Sequence, residues 1–494
     1  MEHKQFSVQT RREFLRQAAC AAVGTAALTS AIRDLRFMNA AVAQTGINDY
    51  KALVCVFLSG GNDSNNLIVP TENTEYNNYA SIRTPVLAIP QASLLGIAPQ
   101  NPDGRQYGLH PACTQLRDLF TEGKLALLFN TGTLVYPLTR AQYQATGSKK
   151  PPQLFSHADQ ITQWQTSIPD RPPLTGWGGR CADLLNSAQP ANAAISLSVS
   201  LAGANTFEVG NTVSQYAVST SGAIALTGVS GARLTALTNI LGLSYSNMQA
   251  QAYAGVAGHS IATGQALNSA IDQYADILEK KSDGVTQGTW VWQNELTGIY
   301  PNGQTGGFPN TTLGKQLKMA ARMIAARSTL NMARQIFFCS VSGYDLHTGQ
   351  TKLVSPNTFD PTQGAHANLL GEVSQCLLAF QRAMEQLTIS NKVTAFTASD
   401  FGRTFPGNGL GSDHGWGSHH MILGGAVNGG RIYGKFPTLA INGPDDTNTG
   451  RWIPTTAIDQ YFATLATWFG VDPGKLATVF PNLGRFATPN LGFV

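Results

Sequence analysis

A doubly wound α/β fold with a mostly parallel sheet is the class that three observations predict. Nearly unbroken apolar runs recur along the chain, KALVCVFLS at 51–59, KLALLF at 124–129 and RQIFFCSV at 334–341. Such runs mark strands buried on both faces of a parallel sheet. Helical patterns alternate with them, and three of the strands end in turn-rich loops bearing an aspartate. The carboxyl ends of parallel strands are where such folds gather their sites.

Taken in order, the chain opens with a leader. Thr10-Arg11-Arg12-Glu13-Phe14-Leu15-Arg16 precedes an alanine-rich apolar run at 18–28, and Ala41-Val42-Ala43 supplies small residues for cleavage. Paired arginines before Phe-Leu resemble a twin-arginine export signal, so residues 1–43 are expected to engage the twin-arginine export machinery. The run is too short and too rich in alanine for a membrane span, and no stable span is expected in the mature form. Residues 44–494 then form the folded domain, periplasmic or secreted.

The strand at 51–59 runs into Gly60-Gly61-Asn62-Asp63-Ser64-Asn65-Asn66. Two glycines allow a sharp turn that presents Asp63 at the strand's end; an Asx turn or helix cap is the plainer reading. After the strand at 124–129 comes a polar stretch, then Ser156-His157-Ala158-Asp159-Gln160, where Ser156 is suited to cap a helix. Residues 185–310 are rich in Ala, Gly, Ser and Thr and poor in charge. They read as a helical and irregular insertion or cap, with a long helix over about 234–281, and His259 reads as structural. A helix at 312–330 and the strand at 334–341 follow, ending in Ser342-Gly343-Tyr344-Asp345-Leu346-His347. Asp345 and His347, two apart in extended chain, point the same way and could reach one metal ion.

The helix at 364–387 carries Leu369, Leu370, Val373, Leu377, Phe380 and Met384 on one stripe, with His366 expected on its surface. A strand at 392–398 then opens the stretch SDFGRTFPGNGLGSDHGWGSHH, residues 399–420. Asp400, Arg403, Asp413, His414, His419 and His420 all lie in this glycine-rich segment, which reads as a loop. A purely structural loop rarely needs three imidazoles. A helix at 456–469 closes the chain.

Composition narrows the functional classes. The chain has 494 residues, 43% hydrophobic and 13% charged, with 50 glycines, enough for one large core or two domains. The formal charge of +4 belongs mostly to the leader. Residues 1–43 hold six of the 33 basic and three of the 29 acidic residues, leaving 27 against 26, a net of +1. Nothing in that balance points to nucleic acid. The cysteines at 20, 55, 113, 181, 339 and 376 contain no CxxC, so no zinc knuckle is present. Cys55, Cys339 and Cys376 read as buried, and export would permit a disulfide among the others.

Asp63, Asp345 and Asp400 each follow a buried strand, so a parallel sheet brings them to one edge beside His347 and His414. Converging carboxylates cost several kcal/mol in repulsion and desolvation unless a cation compensates. A metal centre is the economical reading.

FLSGGNDSNN, SHADQITQW, GYDLHTGQ and SDFGRT followed by SDHGWGSHH resemble the DUF1501 family over about residues 50 to 470, with a fold similar to alkaline phosphatases and sulfatases. That resemblance implies one or two divalent ions (zinc, manganese, magnesium or calcium) and a small anionic ester as substrate. By it, Asp63 stands for the first aspartate ligand, and Asp345 with His347 for the pair at the other metal position. Asp400 stands for the late strand-end aspartate and His414 for the final histidine. Ser156 is the first choice of nucleophile, with Ser64 and Thr133 as rivals. Arg403 and His157 would hold the anion's other oxygens. Two departures stand out: Phe401 occupies the place where the superfamily has histidine after the late aspartate, and Asp413-His414 could itself be the adjacent pair. The absence of Cys-x-Pro-x-Arg disfavours a formylglycine sulfatase. The expected function is an exported metal-dependent hydrolase of phosphate or sulfate esters. The alternative is a non-catalytic periplasmic binding or assembly protein on the same scaffold.

Overall fold

The centre of the molecule is a strand with almost nothing polar to offer water. In a computed structural model, which describes residues 49–190, 193–224, 226, 228–275 and 307–494, this strand, β1 (Lys51–Ser59), is buried at every position but its first and last. Side chains alternate between faces along a strand, so both faces of β1 are covered. Each of its Val, Leu and Phe side chains contributes roughly 1.5–3 kcal/mol by leaving water.

Nine further strands complete the sheet: β2 (Leu125–Gly132), β3 (Ser198–Ser200), β4 (Tyr216–Ser219), β5 (Gly222–Ala223), β6 (Arg334–Ser342), β7 (Val393–Ser399), β8 (Ser418–Gly424), β9 (Ile432–Tyr433) and β10 (Thr456–Ala457). Their order is β9-β2-β8-β7-β1-β6-β3-β4-β5, with β10 also pairing to β2. The centre is parallel: β1 lies between β7 and β6, and β3 and β4 continue outward from β6 in the same sense. β8 runs antiparallel to both β7 and β2, so the sheet is mixed on that side. Within residues 185–310, three short strands therefore extend the edge of the sheet.

The principal helices are α1 (Asn73–Leu87), α2 (Thr114–Thr121), α3 (His157–Thr166), α4 (Trp177–Leu185), α5 (Ala232–Leu241), α6 (Met248–Asp272), α7 (Thr312–Ala325), α8 (Ala365–Gln386) and α9 (Ile458–Phe469). α8 packs against α2 and α7, burying Leu370, Val373, Leu377, Phe380 and Met384 of the expected stripe. His366 corrects the surface expectation. It is buried, with Nε2 3.0 Å from Asn62 Oδ1. The single helix expected over 234–281 is two helices, α5 and α6, and its last residues lie outside the described residues. So does the leader, residues 1–43.

Register decides where the loops meet. Leu58 pairs with Ser399 and Ser59 with Ser342, so β1, β7 and β6 end flush at one edge. Gly60 has φ +116°, and a Cβ there would sit 2.4 Å from the Asp345 backbone nitrogen. Only glycine lets the first loop run this close to the loop after β6. Among the described residues no helix is long and apolar enough to cross a membrane, and the five cysteines found there are buried and free.

Candidate metal centre

Four elements deliver side chains to this edge. His157 is the first residue of α3, after Ser156 at the N-cap position. Asp345 and His347 lie on the loop that follows β6, and Asp400 directly follows β7. His414 ends a short strand, Ser412–His414, that pairs antiparallel with Arg403–Gly407, Arg403 facing His414 in register.

Three imidazoles and one carboxylate converge. His414 Nε2 lies 3.1 Å from His157 Nε2, 3.0 Å from His347 Nε2 and 3.3 Å from Asp345 Oδ1. His347 Nε2 is 3.1 Å from the same oxygen, and His157 Nε2 is 3.5 Å from Asp345 Oδ2. The ligand atoms of His157, Asp345 and His414 all lie within 4.8 Å of one another, close enough to share one ion.

The outer nitrogens fix the tautomers. His157 Nδ1 is 2.7 Å from Asp400 Oδ2, His347 Nδ1 is 2.9 Å from Asp413 Oδ1, and His414 Nδ1 is 2.8 Å from the Phe155 carbonyl. A carbonyl or an ionised carboxylate only accepts, so each Nδ1 carries the proton and donates it outward. In a neutral ring Nε2 is then a bare lone pair. The lone pair of His414 faces those of both His157 and His347, with a carboxylate beside all three, which is repulsive unless a cation sits among them. Histidine held at Nδ1 by a carboxylate or carbonyl, with Nε2 turned inward, is the usual outer support of a metal site.

The electrostatics agree. Burial holds the His414 imidazole below its ordinary range despite the Phe155 carbonyl, which favours its neutral form. Burial alone would raise the Asp345 carboxyl, but the Arg403 guanidinium, whose Nη1 donates at 2.9 Å, brings it below the usual range. Asp400 is raised by its burial, against the opposing bonds from the Gly60 amide and His157. Asp345 and His347 expose 45% and 43% of their side chains, so the cluster is open to a small molecule.

The structure sorts the sequence-derived residues. Asp345, His347 and His414 reach inward. Asp400 and Asp413 stand one step behind, orienting His157 and His347, and are not positioned as ligands. Asp63 is a correction. Its buried carboxylate is bound by the Arg83 guanidinium and by the side-chain amides of Gln350 and Asn65, away from the imidazoles. Arg83 also donates to the Thr404 and Phe405 carbonyls. Arg403 is committed to Asp345, the Gly60 carbonyl and the Ser412 carbonyl rather than offered to an anion. His157 corrects the other way, joining the inner set instead of serving the anion.

The three hydroxyls considered as nucleophiles have other partners. Ser156 Oγ donates to Asp159 Oδ2 at 2.5 Å, Thr133 Oγ1 donates to Gln160 Oε1 at 2.8 Å, and buried Ser64 Oγ accepts from the His419 amide at 2.9 Å. His419 and His420 also leave the expected loop. They lie on β8, buried in the core. Phe401, where histidine was expected, is fully buried with its ring 4.8 Å from that of His157 and 4.6 Å from that of His414. It forms an apolar wall on one side of the cluster. The inward role of His157 had one sequence signal, its place at the start of a helix following a strand on the same edge.

No curated protein compared with this chain matches it. Among solved structures, the phosphonate monoester hydrolase SpPMH from Silicibacter pomeroyi is similar at 8% identity, covering 73% of this chain and 69% of its own, with a TM-score of 0.25. A family model described as "Protein of unknown function (DUF1501)" matches residues 50–480, a span that includes every residue of the cluster and its outer supports. The strand-end loops that build the imidazole cluster are thus the loops of that family's shared region, and the chain belongs to the DUF1501 family.

Proposed function

We propose that this protein is an exported metal-dependent hydrolase of phosphate or sulfate esters, working with one divalent ion held by His157, His347, His414 and Asp345. The carrying observation is that His414 Nε2 faces the Nε2 atoms of His157 and His347 and a carboxylate oxygen of Asp345. A donor set of three nitrogens and one oxygen suits zinc, whereas magnesium and calcium prefer oxygen cages. One ion is favoured over two because Asp63, the expected ligand of a second, is neutralised by Arg83.

When bound, the ion supplies positive charge where the ester's oxygens gain negative charge, and it acidifies water. The chain's own residues do the rest. Asp400, Asp413 and the Phe155 carbonyl hold the imidazoles in the productive tautomer, and Arg403 keeps Asp345 ionised. Phe401 and its neighbours exclude water from one side, which strengthens the electrostatics there. With the hydroxyls of Ser156, Ser64 and Thr133 engaged elsewhere, direct attack by water is favoured over a covalent serine intermediate. A twin-arginine leader at residues 1–43 would allow the metal to be loaded before export.

Elemental analysis and an aryl phosphate and aryl sulfate panel test this. The zinc-loaded protein is expected to turn over at least one ester, Asp345→Asn to lose roughly 100-fold or more in kcat/KM, and Ser156→Ala to keep most activity. The second reading, a non-catalytic periplasmic binding or assembly protein, draws on the engagement of Ser156, Thr133 and Ser64 with partners outside the cluster. A metal-loaded protein inert on the whole panel would establish that reading instead.

A further inference from the structure

Arg403 is committed to Asp345, and a second guanidinium, not yet assigned a role, stands beside the cluster. Arg451 Nε donates to the His414 carbonyl at 2.7 Å, and its guanidinium carbon lies 4.1 Å from the centroid of the Phe155 ring. Phe155 is the residue whose carbonyl holds His414 Nδ1, so Arg451, Phe155 and His414 brace one another at the edge of the centre. Arg451 is half-buried, and its terminal nitrogens have no hydrogen-bond partner among the described residues.

The loop that presents Arg451 is rigidly organised. Asp446 is fully buried, and its carboxylate accepts the amides of Asn442, Asn448, Gly450 and Arg451 at 2.7–3.2 Å. A buried carboxylate satisfied by four backbone donors fixes the backbone around it. The stem of Arg451 therefore leaves a preset point, its guanidinium rests over the Phe155 ring, and its Nε is anchored. What remains is a two-nitrogen fork with no intramolecular duty, the geometry that suits the oxygens of an ester anion.

We propose that Arg451 is the substrate-binding residue for the anion, and that the centre prefers esters bearing a single negative charge. This rests on the hydrolase reading above. The charge preference follows from the immediate surround. Among the side chains bonded to the cluster or offered to the anion, the carboxylates of Asp345, Asp400 and Asp413 outnumber the guanidiniums of Arg403 and Arg451 by one, and a divalent ion turns that deficit into a single positive charge. Asp446, turned to four backbone amides, stands outside this set. A phosphodiester or a sulfate monoester balances it, whereas the dianion of a phosphate monoester overshoots.

The test has two readouts on the zinc-loaded mature protein. Calorimetry with diphenyl phosphate, a monoanion, is expected to show at least tenfold weaker binding in Arg451→Met, with partial retention in Arg451→Lys and zinc affinity unchanged in a chelator competition. Kinetics should favour bis(4-nitrophenyl) phosphate and 4-nitrophenyl sulfate over 4-nitrophenyl phosphate by tenfold or more in kcat/KM, and Arg451→Met should raise KM more than it lowers kcat. Arg451→Gln, which retains a donor toward the His414 carbonyl, serves if Arg451→Met does not fold. Unchanged diphenyl phosphate binding overturns the proposal. So does a loss of zinc affinity matching the loss of anion binding, which would make Arg451 a brace for His414 alone. A wild-type preference for the dianion overturns the charge preference. A protein that hydrolyses none of the esters yet binds diphenyl phosphate through Arg451 would sink the hydrolase reading and leave the anion contact standing.

Discussion

His414 and His420 lie six residues apart in one glycine-rich stretch, yet the molecule uses them in opposite ways. His414 is partly exposed, donates Nδ1–H to a carbonyl and turns Nε2 toward two imidazoles and a carboxylate. His420 is fully buried, its ring 4.7 Å from that of Trp164, and its Nε2 has no hydrogen-bond partner among the described residues. His419, beside it, stacks on Phe436 at 5.0 Å and accepts the Asn130 amide. An imidazole is thus a flat neutral plate in the core and a donor at the edge. The surroundings of Nε2 decide which, not the residue or its motif.

That contrast is broken most severely by Ala substitution on each side. His414→Ala is expected to abolish metal retention after dialysis, exceeding the roughly 10–100-fold that loss of an outer support costs. His420→Ala should keep the metal and lose about 2–4 kcal/mol of unfolding free energy by leaving a cavity. If both variants lose metal equally, the distinction fails.

Asp63 supplies the next test, as the carboxylate that resembles a ligand but serves the core. Asp63→Asn strands the buried Arg83 charge, which should cost about 3–5 kcal/mol in a denaturant titration. Metal content should stay at one ion per chain. A fall to zero would return Asp63 to the centre.

Asp400→Asn and Asp413→Asn sharpen the comparison within the outer supports. Both should weaken zinc by about 10–100-fold in a chelator competition. Asp400 is 1% exposed while the Asp413 side chain is half-exposed. Water can replace the second and not the first, so Asp400→Asn should fall at the severe end.

The smallest effect per residue is the pH dependence of the core set. Burial drives His419, His420 and His366 down to about 3 and His110 to about 4. Their folded values lie below the unfolded 6.5, so the unfolded chain takes up protons first as pH falls. The stability is fully present above about pH 6.5 and declines toward pH 3, by about 1.4 kcal/mol per pH unit for each histidine. Urea titrations from pH 7 to 5 should show this slope, and His420→Phe should make it shallower by one histidine's share.

Much of this was legible beforehand, for reasons particular residues show. The run at 51–59 is apolar at consecutive positions, which only burial on both faces explains, and it is the central strand. Asp345 and His347, two residues apart on one strand-end loop, come together at the cluster, His347 Nε2 lying 3.1 Å from Asp345 Oδ1. For His366 the neighbours on α8 suggest a surface, whereas the residue is buried against Asn62, 304 residues away in the chain. Arg403 shows the same limit: a guanidinium near aspartates looks available in the sequence, whereas its bonds run to Asp345 and the Gly60 and Ser412 carbonyls.

The amino-acid order alone determined the buried strands, the amphipathic helices and the edge at which acids and imidazoles would gather, since these follow from side-chain periodicity and the direction of the chain. Only the tertiary structure decided which acid faces an imidazole and which faces a guanidinium. Asp63 and Asp345 both follow buried strands of the same parallel group, and apart from His347, two residues beyond the second, nothing local separates them. Arg83 reaches one from α1, and three histidines from three different elements reach the other. Partner choice of that kind depends on which distant segments register brings within about 3 Å, where a charge-assisted bond forms or does not.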